Sequence, residues 1–152
     1  MRPSRLSGQE LRLAAEGSVK YKGTACVRLD VLHFRWNEPR ELSRKNVDRL
    51  KNIFRLEGVH RLNPVNHIPA IIGQAHLDDV VHASEISAVR LLSNPDSDPP
   101  VLEFPAGYRL ACLHGRHRVQ AGRETLLPTD AWWTVDLYLA GISIFKRCTI
   151  PG

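Results

Sequence analysis

Hydrophobic and polar residues alternate along several stretches of the chain, and a period of two is typical of β-strands. The predicted strands cover about residues 25–34, 67–72, 108–112 and 131–139. The second of these is short and apolar, and its Pro69 either weakens it or places it near a sheet edge. Residues 101–104 and 108–112 flank the turn-forming sequence Pro105-Ala106-Gly107, an arrangement that predicts a hairpin.

The spacing of apolar residues changes to the helical period between the first two strands. An apolar stripe runs along residues 44–57 and consists of Val47, Leu50, Ile53 and Phe54. Ser43 is a favourable N-cap for this helix, and Gly58 is the residue expected after its last turn. One or two short helices fit residues 74–92, and another helix follows Gly115. The pattern therefore predicts an α+β fold, a small mixed sheet with flanking helices.

The turn between the strand at 108–112 and the next helix is rich in basic side chains. These are His114, Arg116, His117 and Arg118. A helix start has unpaired N–H groups and the positive end of the helix dipole, so acidic residues are usual there. Bases at this position indicate that an anion is the missing partner, and phosphate fits best. The alternative is that the arginines are solvated or are paired with carboxylates elsewhere in the chain.

The composition is typical of a single globular domain and bears on where the protein is found and what it binds. With 152 residues, 43% of them hydrophobic, the chain is expected to form one domain with its own core. It has no apolar stretch near the ~20 residues of a membrane span and no secretory signal, so we expect an intracellular protein, nuclear or cytoplasmic, without a membrane partner. The three cysteines are expected to be reduced thiols. The net charge of +5 permits a nucleic acid partner without requiring one.

The remaining polar residues are explained better by solvation and surface pairing than by metal binding. No pair of histidines has a standard zinc spacing with a third ligand, so we predict no metal site. Glu124 lies about one helical turn beyond Gln120 and about two beyond Arg116, and a surface pair explains it. Trp132 and Trp133 are expected to divide between core and covering surface, the alternative being that they stack on bases.

Two short motifs, taken in their order along the chain, resemble the ParB/sulfiredoxin superfamily. Asn37-Glu38-Pro39-Arg40 and the helix after it are similar to the first box of ParB N-terminal domains. Gly115-Arg116-His117-Arg118, followed by Ala121, is similar to the G-E-R-R-x-x-A box of ParB and to the G-C-H-R box of sulfiredoxin. The likeness covers about residues 25–140 and implies a ParB/sulfiredoxin-like version of the α+β fold.

A second resemblance is to a family of uncharacterised fungal proteins that are often cargo of giant transposons. The stretches that carry it are Cys112-Leu113-His114-Gly115-Arg116-His117-Arg118 and Trp132 to Tyr138. That family has no established activity.

The chain is expected to divide into three parts. Residues 1–24 form a flexible basic arm, residues 25–140 form the domain, and residues 141–152 form a C-terminal tail. The tail is either a natural end or the truncated end of a longer protein.

The superfamily resemblance implies a nucleotide site. The second box holds the triphosphate of CTP in ParB and the phosphates of ATP in sulfiredoxin. Carried over to this chain, Gly115 permits close backbone approach, Arg118 holds phosphate, and Arg40 is a second contact to phosphate or DNA. The implied set also includes His114, Arg116 and His117. The implied ligand is a nucleoside triphosphate, with or without Mg²⁺, or a nucleic acid.

Departures from the family motifs bear on catalysis. Arg116 stands where sulfiredoxin has its nucleophilic cysteine and where ParB has glutamate, so sulfiredoxin activity is not expected. Cys112 lies earlier, on the strand, and is expected to be buried. An NTPase or nuclease activity stays open, with His117 as the candidate general base. The alternative function is a non-catalytic protein-interaction module of a mobile-element protein, in which the arginines pair with a partner's acidic residues.

Overall fold

The computed structural model describes residues 20–34 and 42–139, which form one five-stranded sheet with four α-helices. The strands are β1 (Lys20–Arg28), β2 (Leu32–His33), β3 (Ile68–Ile72), β4 (Leu110–Cys112) and β5 (Trp132–Leu139). The helices are α1 (Arg44–Glu57), α2 (Gln74–Ala83), α3 (Ala88–Leu92) and α4 (Arg116–Thr125). The predicted α+β class, a small mixed sheet with flanking helices, is confirmed. None of the helices in the described ranges is long and apolar enough to cross a membrane.

The sheet has the strand order β1-β5-β3-β4-β2 and mixed pairing. β5 is antiparallel to β1 and parallel to β3, while β4 is antiparallel to β3 and parallel to β2. β3 is buried along its whole length, and β5 is buried from Trp133 to Tyr138. Two covered faces explain why apolar residues run continuously along β3, as they do in strands buried on both sides.

Pro69 lies inside the sheet and not near an edge, so that prediction was wrong. β3 has β5 on one side and β4 on the other. Ala70 faces Cys112, which places Pro69 opposite Leu113 at the end of the antiparallel pairing. The Pro69 carbonyl accepts a hydrogen bond from the Leu113 N–H at 2.8 Å. The bond in the other direction, from Pro69 to the Leu113 carbonyl, cannot form because proline has no N–H. Since this is the last paired position of β3 and β4, the sheet accommodates the proline.

The first strand begins and ends earlier than the alternation predicted. β1 begins at Lys20, so residues 20–24, which we assigned to the basic arm, belong to the sheet. A 3₁₀ turn at Leu29–Val31 then separates β1 from β2, which lies at the opposite edge. Arg123 of α4 donates hydrogen bonds to the carbonyls of Leu29 and Leu32, at 3.0 and 2.8 Å, and holds this crossing in place. The rest of the predicted arm, residues 1–19, and the predicted tail, residues 141–152, lie outside the described residues.

The predicted hairpin does not form, although its turn does. The Tyr108 N–H donates to the Pro105 carbonyl at 3.1 Å, as expected of a turn. Leu110–Cys112, however, pairs with β2 and β3. Val101 instead makes a parallel bridge with Cys26 of β1. The turn therefore connects two distant parts of the sheet and not two neighbouring strands.

Helix α1 has the bounds that the sequence predicted. The Ser43 side chain accepts from the Asn46 N–H at 3.3 Å, and Gly58 follows the last turn with a φ of 98°. Val47 is fully buried, and Phe54 packs against Trp133 with the ring centroids 5.8 Å apart. α1 also packs against α4, so the two helices share the face of the sheet that Trp133 occupies. The helices predicted in residues 74–92 are present as α2 and α3.

A polar cluster that the sequence did not reveal lies buried within the sheet. Asp136 of β5 accepts a hydrogen bond from the Thr24 hydroxyl at 2.6 Å, and its Oδ1 lies 3.0 Å from Nδ1 of His67. The other ring nitrogen of His67 lies 3.2 Å from the Leu62 carbonyl oxygen. All three polar residues are at most 4% exposed. The cluster ties β1, β5 and the start of β3 together.

Candidate phosphate-binding site

The strand, turn and helix predicted around Gly115 are confirmed. β4 ends at Cys112, and α4 begins at Arg116. Gly115 has φ 103° and ψ 14°, the left-handed conformation that glycine adopts most readily. A Cβ on Gly115 would lie 2.8 Å from Cγ1 of Ile68. Both the backbone conformation and the close approach of β3 therefore require glycine here.

The start of α4 lacks the usual negative or polar cap. Gly115 offers no side chain to cap the helix, and the first turn contains no acidic residue. N–H groups and the positive end of the helix dipole lie at this end. The local electrostatics therefore favour an anion.

This helix start opens into a cleft of about 400 Å³ between α4, α1 and the loop before β3. Its lining residues are Asn46, Arg49, Leu50, Asn66, Gly115, Arg116, His117 and Arg118. Three of these residues are arginines and none carries a carboxylate, so the described lining is positively charged. We call this feature the basic cleft. Of the residues predicted to bind phosphate, Gly115, Arg116, His117 and Arg118 line this cleft. His114 is half-buried in the preceding turn and does not line the cleft, and Arg40 lies outside the described residues.

His117 connects the starts of the two helices. Its Nε2 accepts a hydrogen bond from the Ser43 N–H at 3.0 Å. Because Ser43 is the N-cap of α1, this bond fixes the first turn of α4 relative to the first turn of α1. While it holds, the lone pair of Nε2 is occupied by the Ser43 N–H. The geometry therefore gives His117 a positioning role.

Arg118 extends from α4 towards the loop that precedes β3. Its Nη1 lies 3.5 Å from the carbonyl oxygen of Asn66, a weak contact by distance. The same carbonyl accepts a 2.8 Å hydrogen bond from Nε1 of Trp133, which is fully buried. The floor beneath the Arg118 head group is therefore anchored to the core.

Arg49 is a lining arginine that the sequence did not reveal, because it lies outside the apolar stripe of α1. Asn46, Arg49 and Leu50 follow the i, i+3, i+4 spacing and share a face. Arg49 is exposed and makes no hydrogen bond or ion pair with any described residue. In the sequence, Arg49 is distinguished only by its position next to the apolar stripe. The packing of α1 on α4 shows that the face with Asn46, Arg49 and Leu50 borders the basic turn.

The nearby carboxylate, Glu124, is used elsewhere. It accepts hydrogen bonds from Arg44 at 2.7 Å, Lys51 at 3.0 Å and Gln120 at 2.7 Å. The Arg44 guanidinium is the main cause that holds the pKa of Glu124 well below its usual range. The predicted surface pair with Gln120 is thus confirmed and is part of a larger network that lies outside the basic cleft.

The described cysteines are buried free thiols. Burial raises the pKa of Cys112 to about 12 and that of Cys26 to about 11. Cys112 is therefore a core residue, as expected from its place on β4, and it is not activated as a nucleophile.

Comparison with known proteins identifies the family. The model described as "Protein of unknown function (DUF3723) N-terminal domain" matches residues 20–150, most of the chain. The chain therefore belongs to this family. The match begins at the first residue of β1, which agrees with counting residues 20–24 in the domain. No curated protein and no solved structure matched the chain.

Proposed function

We propose that this DUF3723 N-terminal domain binds phosphate groups, of a nucleotide or of a nucleic acid, in the basic cleft. The observation that carries the proposal is the lining: Arg49, Arg116 and Arg118 surround an uncapped helix start, and none of the described lining residues is acidic. Guanidinium groups bind phosphate oxygens in pairs of parallel hydrogen bonds, and the N–H groups at a helix start donate to the same oxygens.

The size of the cleft favours a ligand larger than a single phosphate ion. At about 400 Å³ it falls within the usual range for small-molecule sites. Asn46 and Asn66 line the cleft beside the arginines and add polar groups to its wall. These features support a nucleotide, or one nucleotide unit of a nucleic acid strand.

The ParB-like motifs support the same ligand class. In this proposal Arg118 contacts phosphate, as in the second box, and Arg40 adds a contact from the first box. The described lining offers no carboxylate ligand for Mg²⁺, so the arginines neutralise the phosphate charge, and any Mg²⁺ is held by the phosphates themselves. The proposal concerns binding and assigns no hydrolytic step.

Thermal unfolding of the whole chain with CTP, ATP, GTP or a short DNA duplex tests the proposal. A ligand at a hundred times its dissociation constant adds about 2.7 kcal/mol of stability. We expect one of these ligands to raise Tm by about 5–10 °C. Arg118→Ala and Arg49→Ala should reduce the shift, while Arg90→Ala should preserve it. Arg90 is the matched control because it is exposed on α3 and lies outside the basic cleft.

The pattern of ligands separates the alternatives. Selective stabilisation by one nucleotide supports the ParB-like nucleotide site. Binding of any duplex, with an affinity that falls steeply with salt, supports nucleic acid, and Arg118→Ala should then lower the salt slope by about one. Stabilisation by a polyglutamate peptide alone supports the protein-interaction module. No response to any ligand, or an equal loss in Arg90→Ala, would contradict phosphate binding at the cleft.

A further inference from the structure

A second cleft, separate from the basic one, lies between α2 and the segment before β4. It has a volume of about 330 Å³. Its lining residues are His76, Asp79, Val80, Ala83, Glu103, Phe104, Pro105 and Tyr108, none of which lines the basic cleft. The four α2 residues follow the spacing i, i+3, i+4, i+7 and form one face of the helix. We call this feature the aromatic cleft.

The segment 103–108 is fixed to α2 at both of its ends. The Glu103 N–H donates a 2.7 Å hydrogen bond to the Ser84 hydroxyl, at the end of α2. The Tyr108 hydroxyl lies 3.3 Å from Nδ1 of His76, near the start of α2, and the two rings meet edge to face at 5.3 Å. These contacts fix the two walls of the aromatic cleft relative to each other.

The chemistry of this lining is that of a site for an organic cation. Phe104 and Tyr108 are half-buried with ring centroids 5.1 Å apart, and the floor is the buried Val80. Two exposed carboxylates, Asp79 and Glu103, stand in the lining, and neither forms an ion pair or a side-chain hydrogen bond with a described residue. The described lining contains no lysine or arginine. Aromatic faces and carboxylates together attract an alkylammonium or guanidinium group.

We propose that the aromatic cleft binds the lysine or arginine side chain of a partner polypeptide. The apolar stem lies over Phe104 and Tyr108, and the charged head group reaches Asp79 and Glu103. The volume suits one long side chain. A free small molecule usually has most of its surface buried in its pocket. The exposed rim at Asp79, Ala83 and Glu103 instead suits a group carried on a chain that makes further contacts outside the cleft.

Peptide titrations followed by two-dimensional ¹H–¹⁵N NMR of the full chain test this assignment. The probes are acetyl-Ala-Lys-Ala-amide, its arginine equivalent, and acetyl-Ala-norleucine-Ala-amide, which keeps the stem without the charge. We expect the basic peptides, but not the norleucine peptide, to shift the amide resonances of Ala83, Glu103 and Tyr108.

Variants identify the groups responsible. Asp79→Asn and Glu103→Gln should each lower the affinity for the lysine peptide by about two- to fivefold, the effect of losing one exposed ion pair. Phe104→Leu keeps an apolar side chain without the aromatic face and should lower the affinity for the lysine peptide by about threefold. Asp78→Asn is the matched control, because Asp78 is the exposed neighbour on α2 that does not line the cleft. Circular dichroism confirms that each variant is folded.

Several outcomes would overturn the proposal. Equal shifts with the norleucine peptide would show that the cleft binds the apolar stem and does not recognise the charge. An equal loss in Asp78→Asn would indicate long-range charge attraction. Tighter binding of free putrescine than of the peptides would assign the cleft to small amines, and the absence of shifts at millimolar peptide would remove the site.

Discussion

Replacing Gly115 with alanine tests the structural argument for the start of α4. The left-handed conformation at φ 103° costs an L-residue about 1–2 kcal/mol. The new Cβ would also lie 2.8 Å from Cγ1 and 3.2 Å from Cδ1 of Ile68. Ile68 is fully buried in β3 and is enclosed by its neighbours, so it has little room to move. The substitution therefore combines backbone strain with overpacking.

The two contributions can be separated with a second glycine. Overpacking of a core costs about 1–3 kcal/mol, so Gly115→Ala should lower the free energy of unfolding by about 2–5 kcal/mol in total. Gly107 has a φ of 82°, also left-handed, but a Cβ there would meet no atom within 4 Å. Gly107→Ala therefore carries the conformational cost alone, about 1–2 kcal/mol. The difference between the two variants measures the contact with Ile68.

Urea unfolding of both variants gives the two free energies, and ligand binding gives a second readout. Gly115→Ala should also weaken binding of the proposed phosphate ligand in the basic cleft, because the start of α4 has to shift away from Ile68. Gly107→Ala should leave that affinity unchanged. Equal destabilisation by the two variants would refute the steric argument, and an unchanged ligand affinity in Gly115→Ala would refute its link to the cleft.

Three further predictions concern buried and paired groups. Asp136→Ala removes the carboxylate shared within the buried cluster and should lower the free energy of unfolding, measured in urea, by about 3–5 kcal/mol; a loss below about 1 kcal/mol would contradict its importance. Because Arg44 lowers the pKa of Glu124, this carboxylate stabilises the fold above its ordinary pKa of 4.5, and the contribution is lost as the pH falls through the lowered value. Glu124→Gln should therefore flatten the acid side of a stability profile measured between about pH 7 and pH 3, and an unchanged profile would refute the link. With their raised pKa values, Cys26 and Cys112 should resist a thiol reagent at about pH 8 in the folded chain and react in urea, as peptide mass spectrometry would show.

Elements specified by local signals were predicted well. The bounds of α1 followed from its N-cap, its apolar stripe and Gly58, all within sixteen consecutive residues. The turn and helix at Gly115 followed from the end of the strand pattern and the glycine itself. For α1 the backbone groups at both ends are satisfied by neighbours in sequence, Ser43 and Gly58, so local sequence is sufficient to locate them. The start of α4 has no such cap, and the glycine alone marks it.

Features that depend on pairing between distant residues were not predicted. Alternation alone did not reveal that Val101 bridges to Cys26, or that the strand containing Pro69 lies between two others. Both depend on the sheet order, which no local pattern records. Arg49 was missed for the same reason, since its role follows from the packing of α1 against α4.

The way in which α4 is attached to α1 leads to a last prediction about the basic cleft. At one end His117 accepts from the Ser43 N–H, and further along Glu124 bonds Arg44 and Lys51. Glu124 therefore neutralises cations of α1 outside the cleft, while Arg49 has no counter-charge among the described residues. Bringing Arg49 close to the other arginines and to a helix start is unfavourable in the absence of an anion.

This arrangement makes stability depend on the kind of anion present. Inorganic phosphate should raise the urea midpoint more than sodium chloride of equal ionic strength, because it binds the cleft in addition to screening charge. Arg49→Gln should raise the free energy of unfolding without phosphate by up to about 0.5 kcal/mol and reduce the extra effect of phosphate. Arg90→Gln, which removes an exposed arginine outside the cleft, should leave the phosphate effect intact. If phosphate and chloride act alike on the unsubstituted chain, the arginines are simply solvated, and the positive charge of the cleft does not indicate an anion site.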